Sequence, residues 1–251
     1  MSDPNAFVWY DLITDDVPGA LAFYGAVVGW SGRDAGPGFG GYHLISAGTQ
    51  DVAGALTRRP DMKANGSPTG WVGYVGVRDI DDAAARLREA GGAVYLGPAE
   101  IPTVGRFAVV ADPQGAVFQL FQPHAPRGDE PCIGTPGHVG WHELYAADWE
   151  TVFPFYSGLF GWTKGPSVDM GPMGTYQLFE AGGVAIGGMM TSPPGGPRPS
   201  WQYYFTVEAI HPAARRVREA GGSIVPCRDP EGNAFALVAP DAGAPPAEDR
   251  G

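Results

Sequence analysis

Apolar residues in this chain fall into short runs whose period switches between two and 3.6. FVWYDLIT at 7–14 is a strand-like run of aromatic and branched residues. Asp15 and Asp16 can cap a helix whose first turn tolerates Pro18, and Val17, Leu21, Tyr24 and Val28 recur on one face at helical spacing. GYHLISAG (41–48) and VAGALT (52–57) then read as two strands. The pattern restarts at Trp71 with the strand WVGYVGV. Its helix turns Ile80, Ala84 and Leu87 inward and stops at Gly91-Gly92. RFAVVADPQGAVFQLF (106–121) is a hairpin turned at DPQG.

The whole pattern then occurs a second time. WYDLITDDVPGALAFYGAVVGW (9–30) and WHELYAADWETVFPFYSGLFGW (141–162) match at 7 of 22 positions, an offset of 132. WVGYVGVRDIDDAAARLREAGGAV (71–94) and WQYYFTVEAIHPAARRVREAGGSI (201–224) match at 12 of 24, an offset of 130. The chain is therefore expected to be a tandem duplication of about 130 residues. Its halves are residues 6–122 and 138–240, joined by a Pro/Gly-rich linker at 123–137 and followed by a disordered tail at 241–251. The copies differ in one place. Nineteen residues separate Gly92 from Asp112, but only six separate Gly222 from Asp229. The second half is expected to lack one strand, which would leave its cavity less enclosed.

Composition narrows the function. A net charge of -11 with no cluster of Lys and Arg argues against nucleic acid, since phosphate binding needs such clusters. No apolar run reaches the roughly 18 residues of a membrane span. The start shows no secretory pattern, and Cys132 and Cys227 form neither a disulfide framework nor a metal knuckle, so a cytoplasmic protein is expected. Phosphate loops, nucleophile elbows and dinucleotide fingerprints are missing from the sequence.

Because strand side chains alternate, Trp9, Asp11 and Ile13 share one face, as do Trp141, Glu143 and Tyr145. His142 points the other way, which suits a structural histidine. A carboxylate partly desolvated against tryptophan can act as a general acid or base, so Asp11 and Glu143 are the candidate catalytic residues.

The D…ALAFYGAVVGW helix, the LREAGG helix end and the DPQGAVFQL hairpin resemble the vicinal oxygen chelate superfamily, which groups glyoxalases, bleomycin-resistance proteins and extradiol dioxygenases. The tandem arrangement is similar to its glyoxalase-like hydroxylase branch. The resemblance implies an α+β fold of tandem glyoxalase-like lobes, in which four βαβββ units form two cupped mixed β-sheet barrels with helices outside. It implies a ligand site on the concave faces: Trp9, Asp11, Tyr74, Gln119 and Phe121 in the first half, and Trp141, Glu143, Gln202 and Tyr204 in the second. The positions where metal-using members place His, Glu or Gln ligands fall on Trp9, Val72 and Gln119, and on Trp141, Gln202 and Ala236. Most of these carry no donor for a divalent ion, so neither a metal nor any other cofactor is expected. Two functions follow. One is a glyoxalase-like lyase or hydroxylase working without the usual metal site, and the other is a metal-free sequestering protein of the bleomycin-resistance kind. Either would take an aromatic or carbonyl-bearing small molecule, as a monomer or homodimer without nucleic-acid or membrane partners.

Overall fold

The computed structural model describes residues 5–125, 134–224 and 227–240. Most of the linker and the whole tail lie outside the described residues. Four units follow one another. The first is β1 (Phe7–Thr14), α1 (Val17–Val28), β2 (Ser31–Asp34), β3 (His43–Ala47) and β4 (Gln50–Thr57). After a short helix α2 (Pro60–Ala64), the second is β5 (Gly70–Gly76), α3 (Ile80–Glu89), β6 (Ala93–Ile101), β7 (Gly105–Ala111) and β8 (Val117–Pro123). The third is β9 (Val139–Ala146), α4 (Trp149–Phe160), β10 (Thr163–Asp169), β11 (Thr175–Ala181) and β12 (Val184–Thr191). The fourth is β13 (Ser200–Thr206), α5 (Ile210–Glu219), β14 (Ser223–Ile224), β15 (Cys227–Arg228) and β16 (Ala236–Val238).

Each half forms one mixed sheet. The first is eight-stranded, in the order β2-β3-β4-β1-β5-β8-β7-β6, and the second is six-stranded, β10-β11-β12-β9-β13-β16. The two units of a half meet antiparallel at the middle, β1 on β5 and β9 on β13. In the fourth unit β14 and β15 are two-residue strands that pair with each other, and Arg228 of β15 adds one bridge to Ala234; the second sheet stops at β16, two strands short of the first. Among the described residues no helix is long and apolar enough to cross a membrane.

Helix starts follow the sequence. Asp16, Asp79 and Asp148 each accept backbone N–H bonds in the first turn of α1, α3 and α4. Gly29 and Gly161 end α1 and α4 at φ 89° and 73°, a conformation that favours glycine. The inward face of α1 needs correction. Val17, Ala20, Phe23, Tyr24 and Val27 are buried, while Leu21 and Val28 are only half-buried. The helix is apolar nearly all round, so its own period does not choose the face. The choice is made by what covers it, which includes α5 from the other half.

The helices lie outside both cups, each burying one face towards the seam where the two sheets meet. Tyr24 of α1 packs on Trp71 of its own sheet and on Phe205 and Phe235 of the other half. Tyr156 of α4 packs on Phe118 and Trp201 in the same exchanged way.

The polar contacts are exchanged too, and each has its twin. Tyr24 donates to Asp229 of the second half's DPEG turn (3.2 Å), and Tyr156 donates to Asp112 of the first half's DPQG turn (2.9 Å). The Trp30 indole donates to Gly137 O and the Trp162 indole to Asn5 O, both at 2.7 Å. Gln114 of DPQG accepts from Ala147 N, while Glu231 of DPEG accepts from Asp15 N and the Thr14 hydroxyl. The Arg86 and Arg216 guanidiniums reach Gly158 O and Val27 O across the seam. The repeated Tyr, Trp and Asp residues thus join one half to the other.

His142 sits at the centre of this seam, 7% exposed and stacked on Phe7 with ring centroids 4.3 Å apart. A carbonyl can only accept, so Nδ1 carries the proton and donates to Ile186 O, and Nε2 accepts from the Tyr10 hydroxyl, each at 2.6 Å. Burial pushes the imidazole down to about 4. The unfolded chain, with its histidine near the ordinary 6.5, therefore binds the proton first as pH falls. Stability from this group is present above pH 6.5 and is lost towards pH 4. Urea unfolding should show a loss of about 2 kcal/mol between pH 7 and pH 5 from this residue. That component should be absent in His142→Gln.

Candidate functional site

The concave face of each sheet carries the residues that alternate with the seam. In the first cup Asp11 is 5% exposed and its carboxylate is held by three donors. Oδ1 accepts from the Trp9 indole (3.1 Å) and the Tyr42 hydroxyl (2.6 Å), and Oδ2 accepts from the Tyr74 hydroxyl (2.5 Å). The Trp9 indole also reaches the Tyr42 oxygen at 2.8 Å. Strand register brings these groups together, with Trp9 opposite Tyr74, Tyr74 opposite Gln119, and Asp11 between Val72 and Gly54.

Burial raises the Asp11 carboxyl above its ordinary range, and the hydrogen bonds from Tyr42, Tyr74 and Trp9 oppose that rise without cancelling it. Burial, followed by the Asp11 charge, raises the Tyr74 hydroxyl well above 10. Tyr74 donates to Asp11, so the Gln119 amide can only donate to Tyr74. This leaves Gln119 Oε1 buried and without a hydrogen-bond partner. Phe121 closes the floor edge-on to Tyr74.

The second cup repeats the arrangement with changes. Glu143 is 6% exposed and accepts from the Tyr204 hydroxyl at 2.7 Å. The Trp141 indole donates to the Tyr176 hydroxyl at 2.7 Å, as Trp9 does to Tyr42. Register again sets the pairs: Trp141 opposite Tyr204, and Glu143 between Gln202 and Gly188. Ala236 takes the place of Gln119, and Gln202 that of Val72. The two concave faces join in a single cleft of about 2610 Å³ lined from both halves.

The sequence reading therefore brings together Trp9, Asp11, Tyr74, Gln119 and Phe121 in one cup and Trp141, Glu143, Gln202 and Tyr204 in the other. It missed Tyr42 and Tyr176, which complete each constellation; Tyr145, placed on the face of Trp141 and Glu143 by strand alternation, also interacts with Glu143. The signal was available in GYHLISAG against TYQLFEAG, at an offset of 134. It also missed the glycines beneath these tyrosines. A Cβ on Gly54 would lie 1.8 Å from the Tyr42 hydroxyl oxygen, and one on Gly188 would lie 2.2 Å from the Tyr176 ring.

The model of the glyoxalase/bleomycin resistance protein/dioxygenase superfamily matches residues 6–120 and again residues 135–239. The chain belongs to that superfamily. It is 31% identical over 252 residues to the anthracycline biosynthesis protein DauV of Streptomyces sp. (strain C5), covering 94% of this chain and 90% of DauV. It is 28% identical over 239 residues to CFP32 of Mycobacterium tuberculosis (strain CDC 1551 / Oshkosh), covering 94% and 91%. Among solved structures it resembles 2,2',3-trihydroxybiphenyl 1,2-dioxygenase of Sphingomonas wittichii strain RW1. The TM-score is 0.63 at 14% identity, over 93% of this chain and 89% of that one. The Mn(II)-bound glyoxalase of Novosphingobium aromaticivorans aligns at a TM-score of 0.53 and 15% identity, over 95% and 87%. These likenesses in structure speak for the superfamily fold.

The residues at the superfamily's metal positions do not fit a divalent ion. Trp9, Val72, Trp141 and Ala236 offer no oxygen or imidazole donor, and Gln119 and Gln202 are single amides in separate cups. Asp11 already accepts three hydrogen bonds. No group of three or more His, Cys, Asp or Glu among the described residues could hold a metal.

The glycine beneath Tyr42 makes a sharp test of this geometry. Gly54→Ala should cost about 1–3 kcal/mol by overpacking, because the ring must leave Asp11. In a Tyr42→Ala background the same change should cost clearly less, the remainder coming from the Asp11 oxygen 2.8 Å from that Cβ, a coupling that a double-mutant cycle by chemical denaturation reads directly.

Proposed function

We propose that the chain is a glyoxalase-like enzyme acting on an aromatic, hydroxyl- or carbonyl-bearing small molecule, with Asp11 as the proton-transferring group. The observation that carries this reading is the Trp9–Asp11–Tyr42–Tyr74–Gln119 cluster, a buried carboxylate with one unpartnered acceptor beside it, at the floor of an apolar cup. A raised carboxyl is a better proton acceptor once ionised than an ordinary one. Oδ1 accepts two bonds and Oδ2 one, so one lone pair of Oδ2 is left for a substrate proton. Gln119 Oε1 would accept a second hydroxyl or N–H of the same molecule and orient it.

The rim supports a broad apolar substrate. Phe39, Tyr95, Leu96 and Val104 are exposed large hydrophobics of the first half, and all four line the cleft. Exposed apolar side chains gathered round one opening mark a ligand site. The anthracycline biosynthesis relatives DauV and DnrV suggest a polycyclic aromatic class for the ligand. With donors unsuited to a divalent ion, proton transfer falls to the side chains.

One observation favours a second reading. Three donors hold Asp11 in place, which also suits a static acceptor in a sequestering protein. A panel of hydroxyanthraquinones and anthracycline aglycones, followed by Trp fluorescence for binding and by chromatography for turnover, separates the two. We expect turnover that falls at least about 100-fold in Asp11→Asn, while the dissociation constant moves only a few-fold. Its acid limb should lie above the ordinary aspartate value of 3.8, since deprotonated Asp11 is required. Tight binding without turnover in the parent protein would replace the enzyme by the sequestering reading. No binding at all would reject both.

A further inference from the structure

We infer that the second cup is a separate recognition site, selective for an organic ammonium group, with Glu143 as its counter-ion. It is not a worn copy of the first. Although its sheet is two strands narrower, Glu143 is as buried as Asp11 (6% against 5%), so the floor of the cup is intact.

The argument rests on what surrounds that carboxylate. The aromatic side chains of Trp141, Tyr145, Tyr176 and Tyr204 line the cleft together with Glu143 and are each only half-buried, so the rings remain accessible around a buried acid. Among the described residues no lysine, arginine or histidine forms an ion pair with Glu143. A buried carboxylate without a cation is costly, and an entering cation removes that cost. Tyrosine and tryptophan rings attract an ammonium through their negative faces, and the attraction grows when water is excluded.

The differences between the cups point the same way. In the first, Gln119 lies opposite Tyr74 and its unpartnered oxygen offers a second hydrogen-bond acceptor beside Asp11. In the second, Ala236 lies opposite Tyr204, so the space beside that ring holds a methyl, and the cup's amide is moved to Gln202 opposite Glu143. Met170, Met173 and Met190 line the cleft nearby, soft side chains that suit alkylated nitrogen. The Glu143 charge is also felt across the cage. After burial it is the next cause of the rise in all three tyrosine hydroxyls, with Tyr145 pushed up to about 12.

The test titrates the full-length protein with benzyltrimethylammonium chloride, and with benzyl alcohol as the uncharged control, by calorimetry at physiological ionic strength. The cation should bind at one site per chain and at least about tenfold more tightly than the alcohol. Glu143→Gln should lose that preference, Tyr204→Leu should weaken the cation about tenfold, and Tyr204→Phe, which keeps the ring, should weaken it only slightly. Asp11→Asn should bind the cation like the parent. Equal affinity for the two probes would overturn the proposal. So would unchanged binding in a folded Glu143→Gln or Tyr204→Leu variant, or a loss that follows Asp11 instead.

Discussion

Everything in this molecule depends on the exchange of contacts between its halves. Each half contributes a helix whose tyrosine donates its proton to the aspartate of the other half's last turn, Tyr24 to Asp229 and Tyr156 to Asp112, while accepting from an indole of its own half. These hydroxyls are fully buried beside aromatic rings, where an unmet donor would cost about 1–3 kcal/mol. Duplication made the arrangement self-consistent, because one set of residues serves twice. The indoles of Trp30 and Trp162 close the same loop by capping the carbonyls that precede β9 and β1.

The seam also sets the chemistry of the cups. On β1 and β9, side chains alternate between the seam and the concave face, so Tyr10 and His142 lock the backbone on which Asp11 and Glu143 stand. A carboxylate one residue from so dense an anchor has little freedom to move. That is why three donors can converge on Asp11. The two cups started alike and diverged at few positions. Gln119 against Ala236 and Val72 against Gln202 change the polar lining, while the Trp–Tyr–carboxylate–Tyr frame is kept.

Much of this was legible in the sequence, and the limits have physical causes. Two internal repeats and the DPxG turns pointed to four units and two lobes. Strand alternation placed Trp9 and Asp11 on one face and His142 on the other. What periodicity cannot say is which neighbour covers a face. Leu21 and Val28 of α1 fit a helical stripe, but they are only half-buried, and α1 instead buries Ala20, Phe23 and Val27, with α5 of the other half among its neighbours. Tyr42 was overlooked because it lies just before β3, where alternation gives no direction. Only comparison with Tyr176, which occupies the same place in the other cup, gives it meaning. Gly54 and Gly188 carry no side chain to read, and their role is visible only as the space that a tyrosine ring fills.

The exchanged contacts also have a cost in time. Tyr24 and Asp229 are 205 residues apart, and Thr14 and Glu231 are 217 apart. A ribosome adding about 5–20 residues per second takes on the order of 10–40 s to cover that interval. Throughout it, α1 is made but the DPEG turn that receives its tyrosine is not. The nascent first half must wait with an apolar helix face uncovered, and long-range pairing of this kind folds slowly even when the chain is finished. The last twenty or so described residues therefore act as the latch that ends the wait.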